Sequence, residues 1–91
     1  MTLESAIENP VVAIAERHGW IARKLQWVGR RGGMDRAFFK DGRCVFIEFK
    51  RPGKTLIGQQ KKEFNRIKAA YPDTHWCDSI GEALAILEIE P

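Results

Sequence analysis

The sequence has few of the features that mark secreted, membrane or zinc-thiolate proteins. Its 91 residues include two cysteines, and neither lies in a Cys-x-x-Cys or Cys/His zinc pattern. We therefore expect Cys44 and Cys77 to be reduced and packed, as in a cytosolic protein. No apolar run is long enough to span a bilayer, and no secretory signal pattern is present. The expected location is intracellular, in the host cytoplasm if the protein is viral.

The chain also lacks internal repeats, low-complexity segments and an obvious linker. These absences argue against a solenoid, a disordered tail or a two-domain arrangement. With 44% apolar and 30% charged residues, the composition is that of a globular protein. We predict one domain over residues 1–91 with a core of limited size.

Acidic residues are scarce in the middle of the chain. Residues 23–68 hold 14 of the 15 Lys and Arg but four of the 12 acids, which is a net charge of +10 for this stretch. A basic stretch of this kind can be a solvated surface or a binding site for a polyanion. Two of its acids, Asp35 and Glu48, are spaced as a ligand pair, which favours a polyanion groove containing a metal site.

The spacing of that acid pair follows from a hairpin. Asp41-Gly42 lies between two apolar-rich runs and predicts a two-residue turn between strands at residues 34–40 and 43–50. Paired residue numbers in such a hairpin sum to 83, so Asp35 is predicted opposite Glu48, with Cβ atoms roughly 5 Å apart. Lys50 follows on the same face. Two opposed carboxylates destabilise a sheet unless a cation lies between them.

The remaining pattern predicts the element order α-β-β-β-α-β-α. We expect strands at residues 20–28 and 74–77, and helices at residues 3–18, at 56–71 and after the capping sequence Ser79-Ile80-Gly81-Glu82. Gly19 is the predicted C-terminal cap of the first helix. Both faces of the hairpin are apolar, which predicts a mixed sheet with helices on both sides.

Pro10 leaves two alternatives for the first helix. The helix can begin near Thr2, in which case Pro10 lies inside it and kinks it. Alternatively, Asn9 is the cap and Pro10 the first helical residue, a favoured position for proline. The sequence does not choose between them.

Three segments together resemble the VRR-NUC family, the virus-type replication-repair nucleases of the PD-(D/E)xK superfamily. They are residues 29–36 (GRRGGMDR), residues 45–53 (VFIEFKRPG) and Gln60 on the following helix. The similarity extends from Glu4 to about Leu87. The family usually has proline where this chain has Met34, a departure that concerns turn geometry more than chemistry.

The resemblance implies a restriction-endonuclease-like fold and Mg²⁺- or Mn²⁺-dependent cleavage of DNA. It implies a homodimer acting on branched DNA, such as four-way (Holliday) junctions, in replication or repair. Asp35, Glu48 and the carbonyl of Phe49 are the implied metal ligands, with Lys50 as the catalytic residue that orients the attacking water and stabilises the negatively charged transition state. Glu8 matches the family's N-terminal acid and is implied as a further metal ligand, with Glu4 a weaker candidate. Gln60 is carried over as a site residue that places water or the metal ligands.

The sequence also predicts DNA contacts and structural roles for other basic, histidine and tryptophan residues. Predicted DNA contacts are Arg30, Arg31, Arg36, Arg51, Lys54, Lys61 and Lys62. His18 and His75 have no ligand partner at motif spacing and are predicted to be structural. Trp20, Trp27 and Trp76 are predicted core or interface anchors. The alternative to a nuclease is a DNA-junction-binding module or assembly subunit that keeps this fold without cutting.

Overall fold

A computed structural model describes residues 3–28 and 34–90 of the chain. Its elements follow the predicted order α-β-β-β-α-β-α. They are α1 (Ser5–Arg17), β1 (Ile21–Lys24), β2 (Arg36–Lys40), β3 (Arg43–Phe49), α2 (Gly58–Ala70), β4 (Thr74–Cys77) and α3 (Ile80–Ile86). Among the described residues, no helix is long and apolar enough to cross a membrane.

The four strands form one mixed sheet in the order β1-β2-β3-β4. The first three strands are antiparallel, and β4 joins β3 in parallel after the α2 crossover. The β2–β3 register runs from Lys40↔Arg43 to Arg36↔Ile47, so every pair sums to 83 as predicted. Asp41 and Gly42 both have positive φ, 49° and 80°, which is the geometry of a type I′ hairpin turn.

Helix α1 begins before Pro10, which decides between the two alternatives left by the sequence. Pro10 lies inside the helix, where it lacks the N–H that an interior residue donates to the preceding turn. The helix ends at Arg17, and the predicted cap residue Gly19, whose φ is +90°, terminates it. Gly19 N–H donates to the Glu16 carbonyl and Trp20 N–H to the Ala15 carbonyl, the paired bonds of a Schellman motif.

Strand β1 is shorter than the predicted segment at residues 20–28. Its last pair is Lys24↔Arg36, and Leu25 N–H still donates to the Asp35 carbonyl at 2.9 Å. Beyond that bond the structure gives β1 no partner strand among the described residues, and Val28 is exposed. The predicted strand was too long because apolar residues continue in the sequence beyond Lys24, where the pairing with β2 ends.

Apolar residues cover both faces of the sheet, as the hairpin pattern predicted. On one face α1 and α3 pack over Phe38, Val45, Ile47 and Phe49. On the other face a smaller cluster joins Phe64 of α2 and Leu56 to Met34, with Phe46 and Trp76 packed against it. The predicted mixed sheet flanked by helices is confirmed.

Backbone conformation and specific polar contacts set where the last three elements, α2, β4 and α3, begin or end. Helix α2 begins two residues later than predicted because Ile57 is extended, and it ends before Pro72, which disfavours a helical Tyr71. The Ser79 hydroxyl caps α3 by accepting from Glu82 N–H at 3.2 Å. Arg43 donates to both carboxylate oxygens of Asp73, at 2.8 and 3.1 Å, and so ties the hairpin turn to the start of β4.

Candidate active site

Asp35 lies at the point where β2 and β3 separate. The strand pairing ends at Arg36↔Ile47, so Asp35 and Glu48 stand one position beyond the last pair rather than within the ladder. The Asp35 carboxylate accepts a hydrogen bond from Phe49 N–H at 2.9 Å. That bond holds Asp35 against the segment Glu48-Phe49-Lys50 even though the two strands have parted.

Glu48 is the most perturbed carboxylate of the site. It is 7% exposed, and its Oε1 atom is buried without a hydrogen-bond partner. Burial and the nearby Asp35 carboxylate raise the pKa of Glu48 to about 8. Burial is also the main reason why the pKa of Asp35 is raised. The Asp35 carboxylate therefore lies close enough to Glu48 to disfavour ionisation of Glu48.

Lys50 adds a positive charge beside the two carboxylates. Its charge opposes the upward pKa shift of both Asp35 and Glu48. Its backbone N–H donates to the Cys77 carbonyl at 2.9 Å, which anchors the end of β3 to β4. The side chain lines an open cleft of about 270 Å³ together with Glu4, Arg51, Lys54, Thr55, Ile57 and Gln60. The structure thus brings Lys50 and Gln60 to one cleft, as expected for residues of one site.

Glu8 is buried beside the same strand ends but is held by basic side chains. Arg36 Nε donates to Glu8 Oε2 at 2.5 Å, and Lys24 Nζ lies 3.5 Å from the same oxygen. The Glu8 charge also raises the pKa of Asp35 and Glu48, so it acts on the acid pair. Glu8 is therefore positioned next to the site, with its charge already balanced by Arg36.

The sequence makes Glu4 a weaker candidate than Glu8 for the N-terminal acid of the site. In the structure, however, Glu4 lines the cleft with Lys50 and Gln60. It precedes Ser5, the first residue of α1, and lies one helical turn before Glu8. Spacing alone could not separate the two acids, because residues four apart share one helix face. Their different surroundings arise from the strands and loops packed against that face.

The acid pair suits a hard divalent cation. A buried carboxylate oxygen without a donor, beside a second carboxylate, is the arrangement that oxygen-seeking cations stabilise. In the described part of the chain, however, no group of three or more His, Cys, Asp or Glu side chains is arranged to hold a metal ion. The side chains that fit the cation are Asp35 and Glu48, while Glu8, the predicted further ligand, is paired with Arg36.

The predicted DNA-contacting residues fall into three groups. Arg51, Lys54, Lys61 and Lys62 are exposed around the cleft and the start of α2. Arg36 is engaged with Glu8 inside the protein, so it is less available to a phosphate than the sequence suggested. Arg30 and Arg31 lie outside the described residues.

The protein is similar in sequence to a putative phage nuclease and in fold to a VRR_NUC domain. No protein-family model matches the chain. It is 36% identical over 67 residues to "Putative nuclease p44" of Acyrthosiphon pisum secondary endosymbiont phage 1, a match that covers 72% of each protein. A solved structure described as a VRR_NUC domain superposes with a TM-score of 0.84 over 97% of both chains, at 22% identity, and so shares the fold.

Proposed function

Because the chain belongs to the VRR-NUC nuclease family, we propose that it is a metal-dependent endonuclease that hydrolyses DNA phosphodiester bonds. The observation that carries this proposal is the Asp35–Glu48 pair beside Lys50. Glu48 has a buried, unpartnered oxygen and a raised pKa. Lys50, Arg51 and Lys54 line the cleft beside it. A protein that only binds DNA gains nothing from a buried acid and a partly buried acid beside basic residues, whereas a metal-dependent hydrolase uses them to hold its cation.

Asp35 and Glu48 are the residues proposed to hold Mg²⁺ or Mn²⁺, with the Phe49 carbonyl as a further ligand. Once bound, the cation supplies charge neutralisation at the phosphate and lowers the pKa of a coordinated water. The Phe49 N–H donates to Asp35 Oδ2 at 2.9 Å and so fixes the orientation of this carboxylate. Asp35 is thereby oriented before any cation or DNA arrives, which lowers the entropic cost of assembling the site.

Lys50 and Gln60 are proposed to act on the substrate side of the cleft. Lys50 orients the attacking water and stabilises negative charge that develops on the phosphate in the transition state. Gln60 has an amide that can both donate and accept, and it positions water in the same cleft. Glu8 is proposed to act at the acid pair, as the family's N-terminal acid.

The proposal is tested by incubating labelled four-way junction, flap, nicked and linear DNA with the protein and Mg²⁺ or Mn²⁺. We expect cleavage of branched DNA in preference to linear duplex, and no cleavage in EDTA. Asp35→Asn and Lys50→Ala should lower the cleavage rate by at least 100-fold, the range typical for loss of one charge-stabilising group, about 10²–10³.

The matched control is Asp41→Asn, a substitution at the far end of the same hairpin. It should leave cleavage within about two-fold of the wild type, since surface changes away from a site have small effects. DNA binding without any product under either metal would favour the alternative function, a junction-binding module without nuclease activity.

Two further features of the proposal are branched DNA as substrate and a homodimer as the active form. Two strands that flank a junction are cut symmetrically by two identical sites, which a two-fold dimer provides. We expect sedimentation at micromolar concentration to give a mass of twice 10.4 kDa. A monomer under those conditions, with junction cleavage intact, would contradict the dimer and leave the nuclease proposal standing.

A further inference from the structure

A small pocket lies beside the cleft, between α2 and the sheet. It has a volume of about 170 Å³ and is lined by Thr55, Leu56, Lys61, Phe64, Asn65 and Trp76. Phe64 and Leu56 form its buried floor, Trp76 is half-buried, and Lys61 and Asn65 are exposed at its rim. The pocket therefore combines an aromatic interior with a polar, positively charged edge.

The pocket adjoins the acid pair on the same face of the sheet. Trp76 of β4 is the direct parallel partner of Glu48 on β3. Thr55 lines both this pocket and the cleft that contains Lys50. Gln60 of the cleft and Lys61 of the pocket are consecutive residues in the first turn of α2. A DNA strand with its phosphate beside Lys50 would therefore pass next to the pocket.

The chemistry of the lining matches a nucleobase. Base stacking on an aromatic side chain accepts any base, because every base has a π-face. The Asn65 amide offers a donor and an acceptor to a base edge, and Lys61 offers a charge to the neighbouring phosphate. The volume is below the roughly 300–1,000 Å³ of sites for drug-sized ligands. It suits one flat ring system rather than a whole nucleotide.

We propose that this pocket binds one unpaired nucleobase next to the scissile phosphate, with the base stacked on Trp76 and its edge bonded to Asn65. The proposal rests on the proposed nuclease function and names the feature of the substrate that this site reads. A base in an intact duplex is stacked and paired, so it enters the pocket at the cost of unstacking. A base at a junction or bulge is already free, and that cost is smallest.

The experiment compares DNA binding with and without the base, in Ca²⁺ so that affinity is read apart from cleavage. The probes are a duplex with one unpaired thymidine and the same duplex with an abasic residue at that position. Fluorescence anisotropy should give the wild-type protein about ten-fold tighter binding to the thymidine probe, which is about 1.4 kcal/mol and lies toward the lower end of the range of about 1–3 kcal/mol for one stacked base. Equal affinity for the two probes, or no binding of either, would overturn the proposal.

Trp76→Leu should bind the two probes equally. The matched control is Trp27→Leu, which removes a tryptophan that lies outside the pocket and is 38% exposed. It should keep the ten-fold preference.

Trp76 also packs against the cluster of Met34, Leu56 and Phe64, so its replacement can affect folding. A second variant therefore separates an effect on base recognition from an effect on folding. Asn65→Ala changes an exposed side chain at the pocket rim and should reduce the preference at least two-fold without changing thermal stability. A full ten-fold preference in both Trp76→Leu and Asn65→Ala would contradict the assignment.

The result is independent of the cleavage test. A base preference that depends on Trp76, in a protein that cuts no DNA, would support the pocket and refute the nuclease. Cleavage without any base preference would support the nuclease and refute the base-binding pocket.

Discussion

At the scale of single residues, Glu48 is under the strongest electrostatic conflict in the described structure. Its side chain is buried, it faces Asp35, and one of its oxygens has no donor. Such a residue weakens the metal-free fold while it serves the site. Ionisation of Glu48 should therefore have a measurable effect on the free energy of unfolding of the metal-free protein.

We predict that the metal-free protein loses stability as pH rises from about 5 to about 8. The folded-state pKa of Glu48 lies at about 8, above the ordinary value of 4.5. Within that window the folded protein retains a proton that the unfolded chain releases, so the free energy of unfolding falls as pH increases. This one group contributes up to about 1.4 kcal/mol per pH unit. Urea unfolding in EDTA at several pH values measures the slope.

The control for this prediction is Glu48→Gln, which cannot ionise. It should flatten the slope and make the protein more stable than wild type at pH 8 in EDTA. Glu16→Gln, at an exposed position of α1, should leave the slope unchanged. Added Mn²⁺ should stabilise the wild type but not Glu48→Gln, because a cation bound only by the folded state shifts the unfolding equilibrium. A pH-independent wild type would contradict the assigned burial.

At the scale of secondary structure elements, α1 is joined to the sheet by the ion pair between Glu8 and Arg36. The two side chains are 7% and 17% exposed, and their atoms are 2.5 Å apart. Pro10, two residues later, interrupts the hydrogen bonds of the same helix. The pair therefore anchors the part of α1 that its own backbone supports least.

We predict that Arg36→Met lowers the free energy of unfolding by about 3 kcal/mol, because it leaves Glu8 buried without its main partner. Replacing both residues, as Glu8→Met with Arg36→Met, should recover most of that loss. Arg23→Met, at an exposed position of the adjacent strand, is the control and should change stability by less than about 0.5 kcal/mol. Urea unfolding measures all four proteins. A loss below 0.5 kcal/mol for Arg36→Met would mean that the pair is not an anchor.

At the scale of the whole molecule, charge is distributed by region. The central stretch carries a net +10, while eight of the 12 acids lie outside it. Folding gathers part of this positive charge at the cleft, where Arg51 and Lys54 lie beside Lys50. Such a surface attracts DNA without regard to sequence.

We predict that Lys54→Ala and Lys62→Ala each weaken binding to all DNA probes alike. Each should reduce the slope of log binding constant against log salt concentration by about 0.9, the value for one phosphate contact. Arg17→Ala, at the exposed end of α1, should leave the slope unchanged. Titrations in Ca²⁺ between low and moderate salt measure these slopes. An unchanged slope in both lysine variants would mean that neither Lys54 nor Lys62 contacts a DNA phosphate.

Much of the fold could be predicted because its signals are local. The Asp41-Gly42 turn and the two-residue period of a strand define the hairpin register, so Asp35 and Glu48 could be related across 13 residues by counting. The capping residue of α3 and the glycine that ends α1 were equally local. The end of β1 was predicted too late because strand length depends on the partner strand, not on the residues of β1.

The sequence by itself determined the element order, the register of the hairpin, the basic central region and the identity of the acid pair beside Lys50. Tertiary structure alone decided that Glu8 pairs with Arg36 while Glu4 lines the cleft. It also placed Trp76 next to Glu48 and formed a pocket between Trp76 and α2. The physical reason is that these contacts join segments far apart in the chain, and the packing of helices on the sheet, not local spacing, sets which side chains meet.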